Sequence, residues 1–267
     1  MKSVTLGQYY PIESKIHSLD ARVKLIGVII FIISLFVATN FLAYGIVGIF
    51  LYFCIKLAKL PLKFVIKGVR ALGYVIVFTM VVNVIFSPGE IILLDLGFFN
   101  ITLEAVLWGI LITLRFVLLI ISSSLLTLTT SPINLTGAIE TLLSPFKKIK
   151  LPVHEIAMMM TIALRFIPTL MEETDKITKA QMSRGAEFDS GSIAKRVKSL
   201  IPILIPLFVS AFRRADDLAM AMEARCYRGD INRTKLKELR YTKNDVIAYA
   251  IMFIFLLLVI LTNFIYY

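Results

Sequence analysis

Two short arginine motifs, Ser183-Arg184-Gly185 and Ala224-Arg225-Cys226, each close a long run of helix-forming sequence. Arginine ends in a rigid planar fork of N–H donors that grips carboxylates or backbone carbonyls at two points. Small neighbours such as Gly185 and Ala224 let such a helix end approach a partner closely. Counting back from each arginine, an aspartate stands nine residues earlier (Asp175, Asp216) and an alanine four earlier (Ala180, Ala221), so one arrangement reads as used twice. The local chemistry also admits a plainer use. A cation at a helix C-terminus offsets the negative pole of the helix dipole, worth about 0.3–1 kcal/mol.

Other reactive constellations are missing from the sequence. It holds no Gly-x-x-x-x-Gly-Lys-Ser/Thr phosphate loop, no His-Glu-x-x-His and no Gly-x-Ser-x-Gly. Its two histidines, His17 and His154, and two cysteines, Cys54 and Cys226, form no metal-ligand spacing. The acidic residues Glu172, Glu173, Asp175, Asp216 and Asp217 are interleaved with Lys176, Arg213 and Arg214, the pattern of a solvated, salt-bridged helix face. An integral membrane enzyme acting on lipids needs a clustered acidic or histidine site. The sequence argues instead for a non-catalytic, mechanical role, with no cofactor, no metal and no nucleic-acid partner.

These motifs must be positioned by a chain of 267 residues that is 58% apolar, with a net charge of +11 and a mean hydropathy of +0.84. Soluble domains are about 45–50% apolar, so this is the composition of an integral membrane protein. Apolar runs able to cross about 30 Å of hydrocarbon, free of charge except for Arg115, lie at residues 25–55, 71–87, 105–130 and 246–264. The first is too long for one ordinary span, and is either one strongly tilted helix or two short spans folded back near Ala38–Leu42. Lys2, Lys15, Arg22 and Lys24 precede it, and Lys56, Lys59, Lys63, Lys67 and Arg70 follow it. The positive-inside rule places both flanks in the cytoplasm and so selects the hairpin. Five spans result, with the N-terminus inside. On that topology 28 of the 29 Lys and Arg residues are cytoplasmic, and Arg115 alone lies within a span.

No span contains Asp or Glu, whereas ion-coupled carriers usually place an acid inside the bilayer. Arg115 would cost about 2.5–3.5 kcal/mol at mid-bilayer, which either hydrogen bonds to backbone carbonyls within the bundle offset or a gating or subunit contact justifies. The loop from Ser87 to Glu104 is expected as a short amphipathic piece on the outer surface. On the other side a short helix near Asn134–Leu143 precedes two long helices, about 152–184 and 193–225, interrupted by Pro168, Pro202 and Pro206. Seven of the ten methionines fall between Met158 and Met222. Methionine suits both surfaces that repack against several partners and the filling of an irregular helix crossing.

The chain resembles the transmembrane T component, CbiQ-like, of energy-coupling-factor transporters, which are ABC-type importers of vitamins and metals. The resemblance runs nearly end to end. It is carried by Gly7-Gln8-Tyr9, His17-x-Leu19-Asp20-x-Arg22-x-Lys24-Leu25, Leu126 to Pro132, Pro152-Val153-His154-Glu155, Ala163 to Leu170 and Ala221-Met222-Glu223-Ala224-Arg225. It departs from the family pattern at Ser18, Ala21 and Cys226, the last standing where glycine is expected. The resemblance implies an all-α polytopic protein. Residues 1–130 would carry the arm and four spans, 131–245 a cytoplasmic coupling domain of two long crossed helices, and 246–267 the last span. It implies docking of two ABC ATPase subunits, EcfA and EcfA', at Ser183, Arg184, Gly185, Ala224, Arg225 and Cys226, with ATP bound by those partners. A substrate-binding S component would contact Met158, Met159, Met160, Leu164, Met171, Met220 and Met222. The setting implied is the bacterial cell membrane, in contact with membrane lipid.

Overall fold

The computed structural model describes residues 9–95, 100–186, 188, 192–229 and 239–265. Gly7, Gln8, Gly97, Asp230 and, between the two long helices, residues 187 and 189–191 lie outside the described residues. The chain is all-α in architecture and divides into two compact units, one of Gly7–Ala138 with Leu239–Tyr267, the other chiefly Ile139–Glu238.

The first unit contains α1 (Ala21–Val37), α2 (Phe41–Ala58), α3 (Leu62–Ala71), α4 (Gly73–Phe86), α5 (Leu103–Thr129), the start of α6 (Pro132–Leu143) and α9 (Lys243–Ile265). The long apolar run at 25–55 is two helices, broken where Ala38 turns to extended backbone. On α2 the buried face is Ala43, Val47, Leu51, Ile55 and Ala58, a spacing of three to four residues. Phe41, Leu42, Ile49, Tyr52 and Phe53 face outward and are exposed. A helix apolar on all sides with only one stripe packed against protein is built for lipid.

Side-chain ties give the helix directions. Asp20 meets Asp245, Gly27 closely approaches Met252, Phe31 stacks near Phe255 and Val37 meets Asn263. The constant offset makes α1 and α9 parallel neighbours. Lys24 reaches Thr129 while Ala38 reaches Arg115, so α5 runs opposite to α1. Gly68 packs on Ser124 and Gly109 on Val84, which sets the α3–α4 pair antiparallel to α5.

By length and composition, α2, α5, α7 (Val153–Ser183) and α9 could each cross a membrane, and α3 with α4 forms a fifth candidate bent by 57°. α1, at 17 residues, is the shortest of the apolar helices read as spans from the sequence apart from α4. The candidacy of α7 was not expected, because its second half is heavily charged. Its mean hydropathy of 1.3 is well below the 2.0 to 2.6 of α2, α5 and α9, and its apolar residues concentrate before Leu170.

The loop after α4 differs from the expected amphipathic piece. Ile92–Asp95 (β1) and Asn100–Thr102 (β2) pair antiparallel, with Ile92 opposite Thr102 and Asp95 opposite Asn100. Thr102 then caps α5 by accepting the Ala105 N–H at 3.3 Å. Two strands of four and three residues are too short for sequence alternation to announce.

Arg115 is held inside this unit. Its Nε–H donates to the Tyr44 hydroxyl at 2.8 Å and its Nη2 to the Ala38 carbonyl at 3.3 Å, with the Phe36 ring 5.5 Å away. The carbonyl that α1 leaves free at its C-terminus is thus met by the charge of α5.

Candidate functional site

The second unit is organised by α7 and α8 (Ile193–Ala224), joined to α6 through a 3-10 turn at Ser144–Ile149. α7 has 31 residues and α8 32, each therefore about 45 Å long at 1.5 Å per residue. Arg214 of α8 donates to Glu173 of α7 at 3.1 Å, and Gln181 of α7 reaches the Pro202 carbonyl of α8 at 3.5 Å. Near the start of α7, buried His154 bonds Glu140 at 3.0 Å, and the Tyr227 hydroxyl, just past α8, lies 3.4 Å from its other nitrogen. Position rises along α7 as it falls along α8. The helices run in opposite senses, and their C-terminal tips lie at opposite ends of the pair.

Those tips share one backbone geometry. Arg184 closes α7 with φ −91° and ψ 7°, and Arg225 closes α8 with φ −92° and ψ 11°. After each arginine the chain turns left-handed, at Gly185 with φ +88° and at Cys226 with φ +56°. The Gly185 N–H donates to Met182 O at 2.9 Å and Ala186 N–H to Gln181 O at 3.0 Å. Cys226 N–H donates to Glu223 O at 2.9 Å and Tyr227 N–H to Met222 O at 3.0 Å. Both are Schellman caps, in which the turn consumes the last helical carbonyls. The likeness first visible as residue spacing is therefore a likeness of conformation. Cys226 adopts the turn that glycine makes freely, at the steric expense of its Cβ.

Ser183, Arg184, Gly185, Ala224, Arg225 and Cys226 are all exposed. Among the described residues neither the Arg184 nor the Arg225 guanidinium has a hydrogen-bond or ion-pair partner. With the last carbonyls already satisfied by the turn, both guanidinium groups are free to meet another molecule. They differ in support. Tyr227, the second residue after Arg225, rests on His154 and so ties that tip to the base of α7.

Of the sequence-predicted contact residues, Met159, Met160, Met171 and Met220 are exposed, while Met158, Leu164 and Met222 are half-buried. A stripe that the methionines did not reveal is larger. On α8, Val197, Leu200, Ile201, Leu204, Ile205, Phe208, Val209 and Phe212 are all exposed, repeating at three to four residues. Its signal in the sequence was the helical apolar period itself. Phe208 and Phe212 are 61% and 70% exposed, an apolar face far beyond scattered surface residues.

In the first unit the N-terminal motif forms a compact polar knot. His17 receives the Ser14 hydroxyl on Nδ1 at 2.7 Å and donates from Nε2 to the Tyr10 carbonyl at 3.0 Å. Burial, helped by the nearby Lys24 charge and opposed by the Tyr10 carbonyl, holds the His17 pKa below the ordinary histidine value and so favours the neutral ring. Arg22 pairs with Asp20 at 2.8 Å, donates to the Leu239 carbonyl and lies 3.9 Å over the Tyr241 ring. Asp245, 1% exposed, accepts from the Asp20 and Thr242 backbone N–H groups. The sequence did not single out Asp245. Thr242-x-x-Asp245 forms the acidic half of a capping box at the start of α9, its carboxylate accepting the Thr242 N–H and hydroxyl, and that was the available signal.

No group of metal-ligating side chains occurs among the described residues. The family model described as "CbiQ: Cobalt transport protein" matches residues 13–236. The chain is 50% identical over its full length to the energy-coupling factor transporter transmembrane protein EcfT of Ruminiclostridium cellulolyticum, covering all of that protein. It is 53% identical to the protein of the same name from Acidaminococcus fermentans, over 94% of each chain, and 48% identical to that of Bacillus subtilis, over 92% of each. These relatives are transport subunits rather than enzymes, and a multi-pass membrane protein is what the apolar helices require. Matched over residues 13–236 by the family model and along nearly its whole length by these relatives, the chain belongs to the CbiQ family, the transmembrane components of energy-coupling-factor transporters.

Proposed function

We propose that the chain docks two ABC ATPase subunits at its two arginine tips and transmits their ATP-driven motion to a separate substrate-binding S component. The observation that carries this reading is the pair of exposed, identically capped arginines at opposite ends of one antiparallel helix pair. Two equivalent tips suit two similar partners, and the chain lacks the phosphate loop that would let it bind ATP itself. Residues 131–245 then act as the coupling domain, and the remainder as the membrane part.

The exposed stripe of α8 with Met159, Met160, Met171 and Met220 is the surface offered to the S component. Apolar, flexible and poor in hydrogen-bonding groups, it can repack against partners of different detail. The S component, not this chain, selects the vitamin or other micronutrient. Parallel packing of α1 and α9 puts the N-terminal arm and the segment before α9 at the same end of the bundle, and nearly all lysines and arginines belong to segments leaving that end. The positive-inside rule makes that end cytoplasmic in the bacterial plasma membrane, where ATPases reside.

The test is co-purification of tagged transporter carrying Arg184→Glu and Arg225→Glu together. ATPase association and substrate uptake should both be lost while the chain still inserts and folds. Undiminished association of both ATPases would overturn the proposal.

A further inference from the structure

The membrane unit contains a slot of about 680 Å³ between α1, α2, the C-terminal part of α5 and α9. That volume lies within the roughly 300–1,000 Å³ of small-molecule sites. Its deep end is aromatic. Phe50 and Phe255 stack with centroids 4.1 Å apart, and Phe31 stacks on Phe255 at 6.1 Å. Its other end carries Lys15 and Lys24. From Lys24 to Phe31 along α1 is about 10 Å, and from Asn244 to Phe255 along α9 about 16 Å, at 1.5 Å per residue. The slot is therefore about as deep as one leaflet, half of the roughly 30 Å hydrocarbon core. Phe53 and Ile251 on its rim are 55% and 51% exposed, so it opens sideways between α2 and α9.

Lys24 at its mouth is held by carbonyls and not by a direct ion pair. Lys24 is only 8% exposed, yet its ammonium donates to two neutral carbonyls, of His17 at 3.1 Å and Thr129 at 3.0 Å. Among the described residues it has no carboxylate within ion-pair distance. The two nearest acids are engaged elsewhere, Asp20 by Arg22 and Asp245 by backbone N–H groups. Lys15 at the same mouth is exposed.

From these features we infer that the slot binds one anionic phospholipid, its headgroup at Lys15 and Lys24 and one acyl chain against the aromatic floor. A basic mouth over an apolar, leaflet-deep slot complements such a lipid in charge, length and polarity, and basic pockets between membrane helices are the usual form of such sites. The inference is independent of whether the arginine tips dock ATPases.

Native mass spectrometry of the full chain, extracted from vesicles of equal phosphatidylglycerol and phosphatidylcholine, tests it. One phosphatidylglycerol per chain should be retained, about tenfold or more over phosphatidylcholine. Lys15→Gln with Lys24→Met should bring that preference close to parity, and Ala248→Phe, which fills the slot without touching either charge, should abolish retention of both lipids. Should Lys24→Met fail to fold, Lys15→Gln alone should still lower the preference. Equal retention of the two lipids by the unaltered chain, undiminished retention by Ala248→Phe, or a partner protein's segment crosslinked into the slot in place of lipid would each overturn the inference.

Discussion

Arg115 of α5 and Tyr44 of α2 are joined by a 2.8 Å hydrogen bond inside the membrane unit, and the same guanidinium reaches back to the carbonyl that ends α1. One side chain thereby ties together three helices at the α1–α2 hairpin. Removing one partner of a buried pair leaves the other unsatisfied, at about 1–3 kcal/mol. Tyr44→Phe should therefore lower thermal stability in detergent by that order, and Arg115→Met added to it should recover part of the loss. Tyr44→Phe with unaltered stability would show that the bond contributes nothing.

The two caps predict opposite effects from removing a side chain at one and adding a side chain at the other. Cys226 sits at φ +56°, where a side chain costs about 1–2 kcal/mol. Cys226→Gly should stabilise the α8 cap by about 1 kcal/mol, and Gly185→Ala at φ +88° should destabilise the α7 cap by a similar amount. Hydrogen exchange at Met222 to Tyr227 and at Gln181 to Ala186 reads each cap separately.

Lysine substitution separates the two uses of the tip arginines. Arg184→Lys and Arg225→Lys keep the charge that a helix dipole feels but remove the planar fork. The docking proposal expects ATPase affinity to fall about tenfold or more with helix stability unchanged, because only a bidentate grip is lost. Full affinity in both lysine variants would reduce the arginines to dipole partners.

His17 makes stability depend on pH with a definite sign. Its folded pKa lies below the ordinary 6.5, so between those values the unfolded chain binds more protons than the folded one. The contribution is complete above about pH 6.5 and is lost as pH falls through the lower folded value. Unfolding followed from pH 8 to pH 5 should show that loss, and His17→Gln should flatten it. An unchanged slope in His17→Gln would refute the assignment.

Much of the long-helix unit was legible because local residues punctuate it. Pro152 and Gly185 set the ends of α7 within a residue or two of its observed bounds, and caps are local in sequence, but α8 ends at Ala224 through the turn at Cys226 and not at Gly229, five residues further on. The α1–α2 break was legible through the lysines around it. What escaped notice depends on partners distant in the chain. Asp245 is meaningful only beside Asp20, whereas the break at Leu72 between α3 and α4 did have a local mark in Gly73, the first residue of α4. The α8 stripe was written in the sequence as apolar period, yet such a period reads equally as core, and only exposure distinguishes a face offered to another molecule.

The in-register pairing of α1 with α9 has a consequence for biogenesis. α1 rests on α9, with a constant separation of about 225 residues between tied positions such as Asp20 and Asp245. At about 5–20 residues per second, α1 waits roughly 10–45 s for its neighbour. During that interval the groove beside Gly27 and the backbone N–H of Asp20 lack their final partners. Chains truncated before α9 should for this reason insert but remain open to proteolysis, and the bundle closes only once α9 has been made.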